Sequence, residues 1–455
     1  MQLHAAAARG DVEGIDFALK QGEDVNAHNG AGQTALIFAL ERAKGFTSHQ
    51  GPAVTPDAVR FLIKAGIDLE SSDSLGATAI HHAAAIPNLA FLEMILEHGG
   101  DAKHVTKSGY SAMTHACYQP SSTYKREIVR RLHIAGASLD TVSEFGEFPL
   151  GVCLYFGDRE TMRVLLDLGA DSGPLNWTPL HHAVAFGDEA DLVQIAPSPM
   201  QINTLNKRYQ ISPWLLAFIL GDLKKIKWLA ERGADLTQVG RCSETLTHIA
   251  ARFGHAGALR WLHELGADPN ALNEFSASPI HEAAEWNNVE CANTLLDQGA
   301  DAKREDHLQQ QPIHAAKSLK MVQTLVERGD ADVNAVDGCG EWPLKLAAES
   351  NDINRLAWLL KHGANVDRTS TGETALHAAV RADSREAVDL LLASGANPNQ
   401  QDVDGWTPLF SALSREVIHT LRKAGADLRI TDLAGMGLEK WIKDSILIRA
   451  LKEKL

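Results

Sequence analysis

His281-Glu-Ala-Ala-Glu285 puts an imidazole and two carboxylates within about one helical turn, the residue types that hold zinc and move a proton in a metallopeptidase helix. Such a helix needs a second histidine four positions after the first, and here that position is Glu285. The doublets His81-His82 and His181-His182 add imidazoles, but adjacent side chains leave a helix on different faces and do not converge on one ion. The patterns G-x-x-x-x-G-K-[ST], G-x-S-x-G and G-x-G-x-x-G are absent, so no phosphate cradle or nucleophile elbow is written into the chain. Five cysteines, Cys117, Cys153, Cys242, Cys291 and Cys339, form no C-x-x-C and point to a reducing compartment. These residues imply no catalytic group, no cofactor and no metal site.

A repeat positions the histidines. Ser243-Glu-Thr-Leu-Thr-His-Ile-Ala-Ala-Arg-Phe-Gly254 recurs with variations about every thirty-three residues. Its T-P-L-H core begins at Met1, Thr34, Thr78, Ser111, Phe148, Thr178, Ser212, Thr245, Ser278, Gln311, Trp342, Thr374 and Thr407. A second signal closes most units in phase, as in Gly233-Ala-Asp235, Gly266-Ala-Asp268 and Gly299-Ala-Asp301. His4, His81, His181, His248, His281, His314 and His377 all fall on or beside the same slot, which assigns them a structural job. In Gly405-Trp-Thr-Pro-Leu409 the glycine permits a tight turn, Thr407 caps the next helix, and Pro408 loses nothing by lacking an N–H. Small pairs such as Ala250-Ala251 and Ala283-Ala284 let a neighbouring helix approach, and bulky second helices such as Trp228-Leu229 supply the core.

With this period and core the chain resembles the ankyrin-repeat family. The resemblance runs through the whole array and implies an all-α solenoid of stacked helix-turn-helix units with β-turn fingers and a concave groove. Thirteen units are expected over 1–430, with capping helices over 431–455, where Leu438, Trp441, Ile442 and Ile446 recur at helical spacing. Gln2–Asp11 resembles an N-terminal cap. The insertions over 41–55 and 118–126 are expected to be exposed loops. The unit starting at Thr178 lacks the Gly-Ala-Asp close and carries Pro197 and Pro199, so a short second helix and a kink or gap are expected over 190–206.

A surface remains to be explained. By family analogy, the residues following the Ala-Ala pair line the groove, and the second of them is Phe156, Phe186, Leu220, Phe253 and Trp286 in five consecutive units. Tyr155 stands beside Phe156, and the turn tips add Phe145, Trp177, Tyr209 and Phe275. Aromatic stripes of this kind anchor protein partners. Glu274, Glu282, Glu285, Glu305, Asp306, Glu341, Glu349, Glu373, Asp402 and Asp404 make the C-terminal half acidic, whereas Lys103, Lys107, Lys125, Arg126, Lys207, Arg208 and Arg241 lie earlier. The expected partner is a protein or peptide with an apolar centre and a basic segment, bound by a monomer. The net charge of -15 disfavours nucleic acid, and no run of apolar residues is long enough to span a membrane. The chain thus reads as a non-catalytic, intracellular scaffold. The alternative is a bacterial effector that acts in a host cell by binding a host protein.

Overall fold

The computed structural model describes residues 2–44, 54–120, 122–370 and 372–441. Among them the regular structure is helical, apart from three isolated bridges, Ser72 with Thr78, Val105 with Ser111 and Thr431 with Gly437. The chain forms two compact units, 1–234 and 235–455. The division falls one repeat later than the proline-containing segment that the sequence marks as irregular.

Most repeats among the described residues are built by the same local chemistry, while the fingers at Gly173–Leu175 and Arg241–Ser243 are 3-10 turns. A short polar side chain opens the finger and accepts two backbone N–H groups: Asp73 Oδ1 from Leu75 and Ala77, both at 2.9 Å, and Asp402 Oδ1 from Asp404 at 2.9 Å and Trp406 at 2.8 Å. Gly405 follows at φ +81°, and a Cβ there would lie 2.7 Å from the Leu433 nitrogen of the next finger, so only glycine fits. Neighbouring fingers are tied by backbone bonds such as Lys107 N to Leu75 O at 3.0 Å and His307 N to Phe275 O at 3.0 Å. The first helix then starts at proline in Pro179–Phe186, Pro213–Leu220 and Pro279–Glu285. Ala250, Ala251, Ala283 and Ala284 are fully buried between neighbouring first helices. Second helices such as Ala256–Glu264 and Val289–Asp297 bury Leu259, Leu262 and Leu295 behind them.

The irregular segments fall only partly within the described residues. Residues 45–53 of the expected first insertion, and Ile442 and Ile446 of the expected C-terminal cap, lie outside the described residues; Leu438–Trp441 is a short helix with Leu438 buried. The second insertion is only partly a loop. Thr123–Ile134 is a long second helix capped by Ser122, and Lys125, expected on an exposed loop, is fully buried inside it. Near the prolines, Glu189–Ile195 is short and ends at Ala196 with φ +45°. An additional helix, Pro199–Asn203, follows, and Asn203 Nδ2 donates to Gly233 O at 2.9 Å, so the segment is packed rather than open.

Candidate functional site

The histidine slot is occupied by structural imidazoles. In six repeats the N-cap residue and the histidine three positions later form a capping box, as in Thr178–His181, Thr245–His248 and Ser278–His281. His248 Nδ1 accepts the Thr245 N–H at 3.3 Å, which leaves the proton on Nε2 to donate to Ala277 O of the next repeat at 2.9 Å. His281 repeats this with Ser278 at 3.1 Å and Gln310 O at 3.0 Å, and His377 with Thr374 at 3.1 Å and Trp406 O at 3.0 Å. Burial holds these rings neutral and pushes His181 and His248 down to about 4. The doublets diverge: His81 turns to Thr78, while His82 Nε2 lies 3.0 Å from Asp73 Oδ2. Among the described residues no group of three or more His, Cys, Asp or Glu could hold a metal ion.

The apolar stripe has to be described within each compact unit. In the N-terminal unit, Phe156 ends the first helix Pro149–Tyr155 and is half-buried. It stands nearly at right angles to Tyr118, 5.9 Å away, and to Tyr155, 5.2 Å away. Phe186 is half-buried between Trp177, with ring centroids 6.2 Å apart, and the Arg163 guanidinium, 5.5 Å from its centroid. Leu220 is half-buried at the end of Pro213–Leu220. Tyr209 reaches back two repeats. Its hydroxyl sits where a Cβ on Gly151 would come within 2.3 Å, and Arg208 covers the Phe148 ring while its Nη2 donates to Gly146 O at 2.6 Å. Gly151 holds the place that histidine takes in other repeats, and the Tyr209 finger fills it.

In the C-terminal unit Phe253 and Trp286 end Leu246–Arg252 and Pro279–Glu285 and are half-buried, while Phe275 is exposed on its finger beside His307. Arg252 lies 5.9 Å from the Trp286 ring centroid and binds two carboxylates, Glu244 and Glu282, the latter at 3.0 Å from Nε. Glu282 is therefore buried in an ion pair and offers no free charge to solvent. Burial, against the pull of Arg252 and helped by Glu282, pushes Glu244 up to about 7. Glu285 is exposed.

Much of the expected charge is used internally. Lys345, buried, binds Glu341 at 2.7 Å and Glu373 at 2.9 Å, and Arg381 joins Glu349 at 3.1 Å and also Glu373. Asp306 and Asp402 accept the N–H groups of their own fingers. Among the expected acids Glu274, Glu285, Glu305 and Asp404 remain exposed with no ion pair among the described residues. Lys125 is not a surface cation: it pairs with Asp158 at 2.9 Å and donates to Cys117 O at 2.6 Å and Gln119 O at 2.8 Å. Sequence reasoning missed Lys125–Asp158 and Arg252–Glu282 because each joins adjacent repeats. Opposite charges about one period apart are the signal that finds them.

Two further features bear on function. No helix among the described residues is long and apolar enough to cross a membrane. The pattern described as ankyrin repeats (3 copies) matches residues 121–203, 214–306 and 312–402, and that of ankyrin repeats (many copies) matches 3–46. The chain is 43% identical over 103 residues to the B-cell lymphoma 3 protein homolog of Mus musculus, covering 22% of this chain and 23% of that one. It is 37% identical over 122 residues to the putative ankyrin repeat protein FPV031 of Fowlpox virus (strain NVSL), covering 25% and 36%. The matched part thus spans well under two thirds of either relative. Among solved structures, the human ASB11 ankyrin repeat domain aligns at a TM-score of 0.45 and 27% identity, covering 48% of this chain and 99% of that domain. Ankyrin repeats are generic protein-interaction modules. With the period, the finger chemistry and the matches agreeing over more than half its length, this chain belongs to the ankyrin-repeat family.

Proposed function

We propose that the chain is a non-catalytic binding scaffold that holds a protein or peptide partner along the ends of its first helices. One observation carries the reading. Phe156, Phe186, Leu220, Phe253 and Trp286 are all left half-buried in five consecutive repeats, yet the same place holds Ser350 and Ala382 in later repeats whose helices close equally well. Stacking therefore does not require a large apolar group there. Partly exposed aromatic and aliphatic side chains in series supply the anchors on which binding energy concentrates. Tyr155, Trp177 and Phe275 extend these anchors at the helix ends and finger tips, whereas Tyr209 is committed to the Gly151 place and is not one of them. Glu285 beside Trp286 and Glu274 beside Phe275 are exposed acids, and they supply attraction for a basic segment of the partner.

The test is affinity purification from the native cell with the wild-type chain and with Phe186, Phe253 and Trp286 replaced together by Ala. Partners captured by the wild type should be lost, with far-UV circular dichroism unchanged. Retention of the same partners by the folded triple variant overturns the reading.

A further inference from the structure

We infer that Glu147 in the N-terminal unit, with the aromatic rings around it, is a receptor for a cationic side chain, the ammonium or guanidinium of a lysine or arginine. This rests on the reading of the chain as a binder of protein segments and assigns one contact within it. Glu147 follows a finger tip and is half-buried, and its Oε2 accepts the hydroxyls of both Tyr110 and Tyr118, the second at 2.8 Å. The two tyrosines come from the preceding repeat, one at the start of its first helix and one at the end, so the carboxylate is held from two sides. The neighbouring rings are open to solvent: Tyr118, Tyr155 and Phe145 are 41%, 53% and 74% exposed. Phe156 joins Tyr118 to Tyr155, and Tyr110 lies 6.3 Å from Phe145.

What is missing is a counter-ion. No ion pair to Glu147 forms among the described residues, and the cations of the neighbouring elements are engaged elsewhere. Lys107 Nζ donates to Ser74 O at 2.9 Å, Arg126 to Thr123 at 3.4 Å, and Arg208 to Gly146 O at 2.6 Å. Two hydroxyl donors fix one oxygen of the Glu147 carboxylate, and its second oxygen has no hydrogen bond among the described residues. Exposed tyrosine and phenylalanine rings beside it add attraction for the same kind of ligand, because the ring face is negative. Both features select a cation. A neutral aliphatic side chain gains only the ring contact, and an anion is repelled.

The experiment uses the full chain and three small probes: the amides of Nα-acetyl-lysine, Nα-acetyl-arginine and Nα-acetyl-norleucine, titrated by saturation-transfer NMR. One or both cations should bind, and whichever binds more tightly identifies the source. The norleucine amide should bind about tenfold more weakly, and Glu147→Gln should weaken the cation by about tenfold without changing the norleucine signal. Tyr155→Leu leaves Glu147 and both hydroxyl donors in place and should weaken the cation about threefold, which keeps the test valid if the Glu147 variant misfolds. Equal binding of cation and norleucine, no binding of either cation, or unchanged cation affinity in folded Glu147→Gln each overturns the assignment. The Phe186, Phe253 and Trp286 triple variant should bind the cationic probes normally, so loss of partner capture there and loss of probe binding here report on separate claims.

Discussion

Carbonyls at the end of a first helix are satisfied by a buried charge at Lys225 in the N-terminal unit and by a neutral amide at Asn288 in the C-terminal unit. In the N-terminal unit the Lys225 ammonium donates to Ala183 O, Val184 O and Gly187 O at 3.1, 2.7 and 2.8 Å, closing the C-terminus of Pro179–Phe186 from the next repeat. In the C-terminal unit Asn288 Nδ2 does the same for Leu246–Arg252, reaching Ala251 O at 2.9 Å and Arg252 O at 2.6 Å. The open carbonyls at a helix end must be bonded wherever a neighbour buries them. Their partner is free to vary: Lys225 and Asn288 stand at the start of a second helix, whereas Gln119, just past a first helix, reaches Ala84 O and Ile86 O of the preceding repeat. The N-terminal unit also holds Lys125, fully buried, whose one ion-pair partner among the described residues is Asp158 of the next repeat.

That contrast is broken most severely at Lys125. Lys125→Met leaves Asp158 buried without a counter-charge and should cost about 3–5 kcal/mol in urea unfolding. The double variant Lys125→Met with Asp158→Leu should recover most of the loss. If the single variant costs no more than Asn288→Ala, the buried charge carries no special weight. Lys225→Met should cost roughly 2–3 kcal/mol by stranding Val184 O and Gly187 O, since Ala183 O keeps the Gly187 N–H, and Asn288→Ala about 1–2 kcal/mol by stranding Arg252 O, since Ala251 O keeps the Gly254 N–H. Equal costs at these positions would mean that charge adds nothing to the cap.

Acid should act on both units alike. His181 in one and His248 in the other ordinarily titrate at 6.5 and are held at about 4 by burial. The folded state thus binds fewer protons than the unfolded chain between those values. Stability is complete above about pH 6.5 and falls as the pH drops towards 4, by roughly 1 kcal/mol per histidine at about pH 5.5. Urea titrations at neutral and mildly acidic pH measure it. His248→Gln should shrink the pH-dependent difference while lowering stability at neutral pH.

These contacts differ in how plainly the sequence displays them. The finger, the capping box and the paired alanines lie within a dozen consecutive residues, so periodicity and turn chemistry reveal them directly. His281 is legible as structural because Ser278 precedes it by three. Lys125 is not legible from its surroundings: Thr-Tyr-Lys-Arg-Glu has the composition of a solvated helix start, and the group that buries it, Asp158, lies one repeat onward. Glu282 looks like a free acid for the same reason, since Arg252 stands one repeat back. Glu147 was invisible as a site because its two hydroxyl partners come from the preceding repeat. Contacts between repeats are written at the spacing of the repeat, and a local window cannot see them.

The smallest expected effect concerns the stripe itself. Phe253 and Ser350 both follow the last residue of a first helix in the C-terminal unit, and both helices close with the same backbone bonds, from Phe253 N to Ile249 O and from Ser350 N to Leu346 O. Phe253 is half-buried, so replacing it with Ala removes only part of a ring's worth of burial and leaves no enclosed cavity. The cost should be below about 1 kcal/mol, against the 3–5 kcal/mol typical of a phenylalanine taken from a packed core. Thermal unfolding of Phe253→Ala and of the reciprocal Ser350→Phe measures it, and both should lie close to the wild type. A loss of core size at Phe253 would show that the ring widens the stack and is not available to a partner. A small loss leaves a large apolar group, repeated at the same place in five repeats, that folding alone does not require.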